Sequence, residues 1–374
     1  MPRCERCLNT DLKYFAKVNG LWVCRRCIAY QGEEGLVYPS ETAAEYTLPF
    51  ELTLAQRDIA KQAKTLVKST DVLIHAVCGA GKTELVMETI EDQLSRSQII
   101  GVAVARKQVA LQLAQRFKAA FPSIKVIVVC EGHTADLSGN LIVTTTHQLY
   151  RFRHQFDCLI LDEPDAFPFK NDPVLHGFMR QAVKGHLIYL TATPDKGLLK
   201  QVKQGKMACL TLNQRPHAHP LPIPELIYSP FWVQVIVLWW ILKRSDKAWL
   251  IFVPSLKIGK HLSKLLRLPF VHASSTELDE LIQGFKSKSI RHLITTTVLE
   301  RGVTFSDIQV AILKADHPVF DQAGLTQIAG RVGRDPAYPS GEVKFLCFKS
   351  TSALRHCLRD LSKANRSVST ASVI

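Results

Sequence analysis

The chain has 374 residues, enough for two full domains and a small module with sizeable buried cores. Hydrophobic residues make up 47% and charged residues 21%, a balance that excludes a disordered or collagen-like chain. Lys and Arg (47) exceed Asp and Glu (33), leaving a net charge of +14 that favours a polyanionic partner, nucleic acid or an anionic membrane surface, although basicity for solubility alone gives the same count.

No signal-like apolar stretch follows Met1, and the longest apolar run, Phe231 to Leu242, is interrupted by Gln234 and falls short of the roughly 20 residues of a membrane span. The expectation is a cytoplasmic protein. Four of the 10 cysteines form one tight pattern and the rest are scattered through apolar stretches, which suits a reducing compartment and leaves the scattered ones as small apolar fillers.

In chain order the first feature is Cys4, Cys7, Cys24 and Cys27, spaced C-x2-C-x16-C-x2-C. Two residues between paired cysteines aim both sulfurs at one ion, and the intervening stretch is long enough for a hairpin to return, so the pattern predicts a structural tetrahedral Zn2+ site. A redox pair is the alternative, but no thioredoxin-like strand and helix context surrounds it. A module of residues 1–30 cannot bury a sufficient core, so metal supplies its folding free energy and zinc removal should unfold it first. Arg3, Lys13, Lys17, Arg25 and Arg26 interleave with Tyr14, Phe15, Trp22 and Tyr30. They suit either nucleic-acid contact or the covering of a small, anionic metal core.

Residues 31–50 look like a linker. From residue 51 to 212 strand-like runs alternate with helical patterns: Val72–Val77, Ile99–Ala105, Val126–Val129, Leu141–Thr145, Cys158–Leu161 and Leu187–Leu190. That alternation predicts an α/β domain with a parallel sheet. Residues 213–230 hold Pro216, Pro220, Pro222, Pro224 and Pro230 and read as a stiff connection. A second α/β domain is expected over 231–374, with strands at Trp249–Val253, Leu293–Thr296, Val310–Leu313 and Val343–Phe348 and a disordered Ser-rich tail after Lys363.

Within this frame, Ala76-Val77-Cys78-Gly79-Ala80-Gly81-Lys82-Thr83 follows a strand and opens a helix expected to continue through Ile90. Gly79, Ala80 and Gly81 let the backbone wrap so that N–H groups meet phosphates. Lys82 would reach the β- and γ-phosphates of ATP, and Thr83 would offer its hydroxyl to Mg2+. An apolar strand then runs into Asp162-Glu163-Pro164-Asp165. Asp162 should hold Mg2+ and Glu163 should orient or deprotonate the attacking water. Near the end, Gln327-Ile328-Ala329-Gly330-Arg331-Val332-Gly333-Arg334 places two arginines three residues apart, on one face if the segment is helical, where they could meet the γ-phosphate.

These motifs together resemble superfamily 2 helicases and translocases. The resemblance implies two RecA-like lobes with ATP and Mg2+ in the cleft, and single-stranded DNA across both. It further implies that Gln56 senses adenine and that Gln327, Arg331 and Arg334 face the nucleotide. Val104-Ala105-Arg106-Lys107 is similar to motif Ia and Thr144-Thr145-Thr146-His147 to motif Ib, implying nucleic-acid contacts from Arg106, Lys107, Thr145 and Thr146. Thr191-Ala192-Thr193-Pro194 is similar to motif III, which couples ATP state to strand binding through Thr191 and Thr193. Ile251-Phe252-Val253-Pro254-Ser255 resembles motif IV, and Thr295-Thr296-Thr297 leading to Glu300-Arg301-Gly302-Val303 resembles motif V, implying contacts from Thr296 and Thr297.

The Cys4 finger, the continuation Asp165-Ala166-Phe167-Pro168 and the motif V segment Thr296 to Thr304 resemble the late-competence ComFA family, with Pro164 in place of that family's usual valine. This implies an ATPase pulling transforming single-stranded DNA into the cytoplasm, with a ComFC-like companion protein, an uptake channel at the membrane's inner face and a homo-oligomer as partners, and peripheral membrane association. Two other readings stay open: a PriA-like replication-restart or repair helicase that separates duplexes, and a zinc-finger nucleic-acid scaffold with an inactive ATP site.

Overall fold

The structure is a computed structural model that describes residues 2–35 and 44–371. Residues 36–43 of the expected linker lie outside the described residues. The chain divides into two compact units, Met1–Ala76 with Gly81–Leu212 and Val77–Ala80 with Asn213–Ile374.

In the first unit the two cysteine pairs flank a hairpin of β1 (Phe15–Val18) and β2 (Leu21–Cys24), paired antiparallel. Seven parallel strands follow: β3 (Asp71–Ala76), β4 (Ile100–Val104), β5 (Val126–Val129), β6 (Leu141–Thr145), β7 (Phe156–Asp162), β8 (Val183–Thr191) and β9 (Met207–Leu212), in the order β5-β6-β4-β7-β8-β3-β9. Strands β4 and β6 are buried at every residue, as a parallel sheet covered on both faces requires. The helices are α1 (Leu54–Leu66), α2 (Met87–Leu94), α3 (Lys107–Ala120), α4 (Pro173–Ala182) and α5 (Lys196–Lys203). Helix α1 starts at a capping box: Gln56 N–H donates to the Thr53 hydroxyl and Thr53 N–H to Gln56 Oε1. Strand β3, which leads into the glycine-rich loop Ala76–Thr83 (the P-loop), and β7, which leads into Asp162–Asp165 (motif II), both flank β8, which ends in motif III, so the three motif strands are neighbours ending at one edge, where α/β sheets carry their ligands.

The finger does not form a unit of its own. Cys4, Cys7, Phe15, Cys24 and Cys27 belong to the same buried cluster as Phe169, Leu175, Phe178 and Met179. Tyr30 packs edge-on against Phe178 with ring centroids 4.9 Å apart, and Gly177 of α4 lies so close to the finger that an added Cβ would sit 2.1 Å from the Cys7 carbonyl oxygen.

The second unit has six parallel strands, β10 (Glu225–Tyr228), β11 (Ala248–Phe252), β12 (Phe270–Val271), β13 (His292–Thr295), β14 (Ile308–Leu313) and β15 (Val343–Cys347), in the order β10-β15-β14-β11-β13-β12. Its helices are α6 (Phe231–Arg244), α7 (Leu256–Leu266), α8 (Leu278–Lys286), α9 (Gln322–Ala329) and α10 (Ser352–Ala371). Trp249, Ile251, Ile294, Ala311, Leu313 and Leu346 form its core with Leu238 of α6. Gln234, which interrupts the apolar run, is buried and bridges the Ser229 carbonyl to the Lys314 N–H.

Two expectations change here. The Pro-rich stretch is more than a connection, because its end is edge strand β10, parallel to β15, and Leu221 within it is buried. The Ser-rich tail continues as helix α10 as far as Ala371, residues 372–374 lying outside the described residues, and is held by Asn365, whose side chain accepts from Leu221 N–H at 2.7 Å and donates to Leu221 O at 3.0 Å. A polar composition does not keep a segment disordered when tertiary hydrogen bonds hold it.

Candidate nucleotide site and metal centre

The loop after β3 uses two glycines in the left-handed region, Gly79 at φ +81° and Gly81 at φ +80°. At Gly81 an added Cβ would lie 2.7 Å from Gln56 Nε2 and 3.2 Å from Glu84 Oε2, ends of side chains that can move aside, so it is the left-handed φ that calls for glycine here. The expected helix does not start at Thr83: a 3-10 turn over Glu84–Val86 precedes α2, which begins at Met87. Behind Thr83 lies a pair absent from the sequence reading. Arg116 of α3 is ion-paired with the buried Glu84, and its Nη1 lies 3.4 Å from the Thr83 hydroxyl. No spacing rule links residues 84 and 116; the packing of α3 beside the loop brings them together.

Lys82 Nζ meets Glu163 Oε1 at 2.5 Å, with both side chains largely buried. Glu163 sits at φ +55°, a strained conformation for a non-glycine residue that is held where β7 ends, by its N–H donating to Leu190 O at 2.8 Å. Asp162 is the last residue of β7. Thr83 and Asp162 offer the hydroxyl and carboxylate that suit Mg2+, and the glycine-lined loop with Lys82 suits the phosphates it neutralises.

Asp165 is 4% exposed and accepts two short hydrogen bonds of 2.6 Å, one from the Thr191 hydroxyl and one from the Thr193 hydroxyl. Thr193 N–H donates to Thr191 Oγ1 at 2.9 Å. Such charge-assisted bonds lock motif II to motif III side chain to side chain.

Of the expected nucleic-acid residues in this unit, Lys107 is exposed and Arg106 half-buried at the start of α3, whereas Thr145 and Thr146 are buried. In the second unit Thr296 and Thr297 are half-buried after β13. Gln327 is buried on α9. The arginines after it do not share a helix face, because α9 ends at Ala329 and both lie in the turn beyond. Arg331 is 1% exposed with Nε donating to Glu300 O at 3.2 Å, and Arg334 Nε donates to Gly330 O at 3.0 Å.

The four finger cysteines place their sulfurs within 4.8 Å of one another, all buried, with Cys4 and Cys27 at 3.5 Å and Cys7 and Cys24 at 3.8 Å. Zn–S bonds of about 2.3 Å in a tetrahedron put sulfurs about 3.8 Å apart, so the set fits Zn2+. The hydrogen bond between Cys7 and Cys27 pulls the first thiol's pKa down and pushes the second up, because the proton kept on Cys27 stabilises a thiolate at Cys7. Asn9 Nδ2 donates to Cys24 Sγ at 3.8 Å, orienting that ligand. Cys130, Cys158, Cys347 and Cys357 are buried and Cys209 is exposed; Cys78 is buried too but is more than a filler, since its thiol donates to Gln327 Oε1 at 3.3 Å.

A family described as "Type III restriction enzyme, res subunit" matches residues 49–196, and "Helicase conserved C-terminal domain" matches residues 233–336. The chain is 33% identical to the competence protein ComFA of Bacillus subtilis over 97% of its own length and 85% of the relative's. With the ComFA of Streptococcus pneumoniae it shares 30% identity over 97% of its length and 90% of the relative's. Among solved structures, S. cerevisiae Dbp5 bound to RNA and ADP BeF3 superposes with a TM-score of 0.63 at 16% identity, covering 84% of this chain and 92% of that one, a likeness of fold. A Cys4 cluster fit for zinc, two RecA-like lobes with the superfamily 2 motifs in order, and this identity over almost the whole chain lead to one conclusion: the protein belongs to the ComFA family of competence-related superfamily 2 helicases and translocases.

Proposed function

We propose that the protein is an ATP-driven motor on single-stranded DNA that draws transforming DNA into the cytoplasm during natural competence. The observation that carries this reading is the Asp165–Thr191–Thr193 network, which ties the hydrolytic carboxylates to motif III, the segment that responds to the bound strand in superfamily 2. When ATP binds, its phosphates compete with Glu163 for Lys82, freeing Glu163 to orient water. Thr83 and Asp162 would hold Mg2+, which would supply charge neutralisation at the phosphates. Arg331 and Arg334 stabilise the charge that develops in transfer. Alternating grips by Arg106, Lys107, Thr145, Thr146, Thr296 and Thr297 on the backbone then move the strand. Gln56, whose side-chain oxygen caps α1, reads the base through its amide end.

Zn2+ at Cys4, Cys7, Cys24 and Cys27 is structural. Partners on this reading are a ComFC-like companion protein, the uptake channel and further copies of the chain, with peripheral membrane association through the channel. Trp232, Ile236, Trp239 and Trp240 on α6 are exposed beside Lys243 and Arg244, apolar surface of the kind that partners cover. Among the described residues no helix is long and apolar enough to cross a membrane.

The test is steady-state ATP hydrolysis with no nucleic acid, single-stranded DNA, duplex DNA or RNA, using Lys82→Ala as the blank. Stimulation by single-stranded DNA alone is expected. Equal stimulation by duplex or RNA overturns the uptake reading in favour of a strand-separating helicase, and no turnover with any of them favours the scaffold.

A further inference from the structure

The turn that carries Arg331 and Arg334 is gripped by a residue that belongs to none of the motifs. Arg215 lies near the start of the Pro-rich stretch and is 2% exposed. Its Nη1 donates to the carbonyl oxygens of Val332 at 2.9 Å and Gly333 at 2.6 Å, and its Nη2 donates to that of Gly330 at 3.0 Å. The ring nitrogen Nε2 of His217, two residues on, lies 3.0 Å from the Gly333 carbonyl oxygen. Gly330 O therefore receives both Arg215 and Arg334.

Burial, with Arg334 nearby as a second cause, brings the Arg215 pKa down to about 10, which leaves it charged at neutral pH. A desolvated cation is tolerated only when its N–H groups are bonded; the Cys78 carbonyl oxygen takes Nε at 2.9 Å, and carbonyls left without helical partners beyond the end of α9 take the rest. A planar fork spans several carbonyls at once, which a lysine ammonium, a single point of charge, does not. With its donors committed to backbone oxygens, Arg215 does not itself reach for a phosphate.

We propose that Arg215 is a positioning residue for hydrolysis: it sets the backbone of Gly330–Gly333 and thereby the spacing at which Arg331 and Arg334 are presented to the γ-phosphate. The inference rests on the reading of Arg331 and Arg334 as the phosphate-facing arginines and adds the residue that sets them. A mere core plug would contribute stability alone, whereas a positioning residue changes kcat.

The experiment compares full-length Arg215→Lys and Arg215→Ala with Arg331→Ala and Arg334→Ala, measuring kcat, KM for ATP and melting temperature, with added methylguanidinium for Arg215→Ala. Misplacement of a catalytic group by about 1 Å costs about 10²-fold, so both Arg215 variants should lose about that factor in kcat while KM stays within about threefold. Methylguanidinium should restore part of the Arg215→Ala rate. A kcat for Arg215→Lys within about threefold of the parent overturns the proposal, as does a loss that only follows the melting temperature. If Arg215→Ala cannot be purified folded, Arg215→Lys decides alone. Normal turnover in both Arg331→Ala and Arg334→Ala overturns the phosphate-facing reading itself; loss there with normal Arg215 variants overturns the positioning role alone.

Discussion

The two lobes are both parallel α/β sheets, yet they hold their functional groups by different means. In the first, side chain holds side chain: Lys82 grips Glu163, Asp165 is held by Thr191 and Thr193, and Glu84 pairs with Arg116. In the second, arginines hold backbone: Arg215 binds the carbonyls of Gly330, Val332 and Gly333, Arg334 that of Gly330 and Arg331 that of Glu300. The Lys82–Glu163 pair separates when a phosphate competes for the lysine, whereas Arg215, spread over several backbone oxygens, keeps its place while, on the proposed reading, Arg331 and Arg334 meet the phosphate. The first arrangement suits groups that must change partner when phosphate binds, the second suits groups that must be in place beforehand.

Breaking the first arrangement should have the larger effect. Lys82→Ala is expected to abolish turnover, and Glu163→Gln to block hydrolysis while a fluorescent ATP analogue still binds; normal hydrolysis by Glu163→Gln would show that the general-base assignment is wrong. Next come Arg331→Ala and Arg334→Ala, for which loss of about 10^3- to 10^5-fold in rate is expected, since arginine fingers contribute that much in related phosphoryl transfer. Rates near normal would mean that the backbone-held arginines are structural.

The finger sharpens the comparison from another side, because its cysteines share the first lobe's core instead of standing apart. Cys24→Ser or zinc chelation should therefore lower the melting of the first lobe as well as the module, by about 2 kcal/mol or about 4–8 °C at this size, the worth of about one buried side chain. Calorimetry that found the lobe unchanged would restore the picture of an independent module. The smallest effect is assigned to Thr53→Ala, which removes half of the capping box and should cost about 1 kcal/mol in thermal unfolding, with a modest rise in KM for ATP if Gln56 loses its orientation.

Much of this was legible along the chain. The loop from Ala76 to Thr83, the carboxylates after β7, motif III after β8 and the four cysteines are each local signals, because a turn or a strand end places neighbouring residues at one point whatever the rest of the fold does. The end of α9 was not legible: Arg331 and Arg334 have helical spacing, but Gly330 stops the helix and tertiary bonds take over. Nor were strands β9 and β10 expected, one an edge of its sheet and short on continuous burial, the other hidden among prolines.

The sequence by itself determined the two α/β lobes, the order of the superfamily 2 motifs and the four-cysteine cluster, since each depends on periodicity or on spacing within a few residues. Only the tertiary structure decided that Arg116 stands behind Thr83, that the finger is part of the first lobe's core and that Arg215 holds the Arg331–Arg334 turn. The physical reason is distance along the chain: these contacts join residues from about 30 to more than 150 positions apart, and no local preference encodes which carbonyl a buried guanidinium will meet once two lobes have folded.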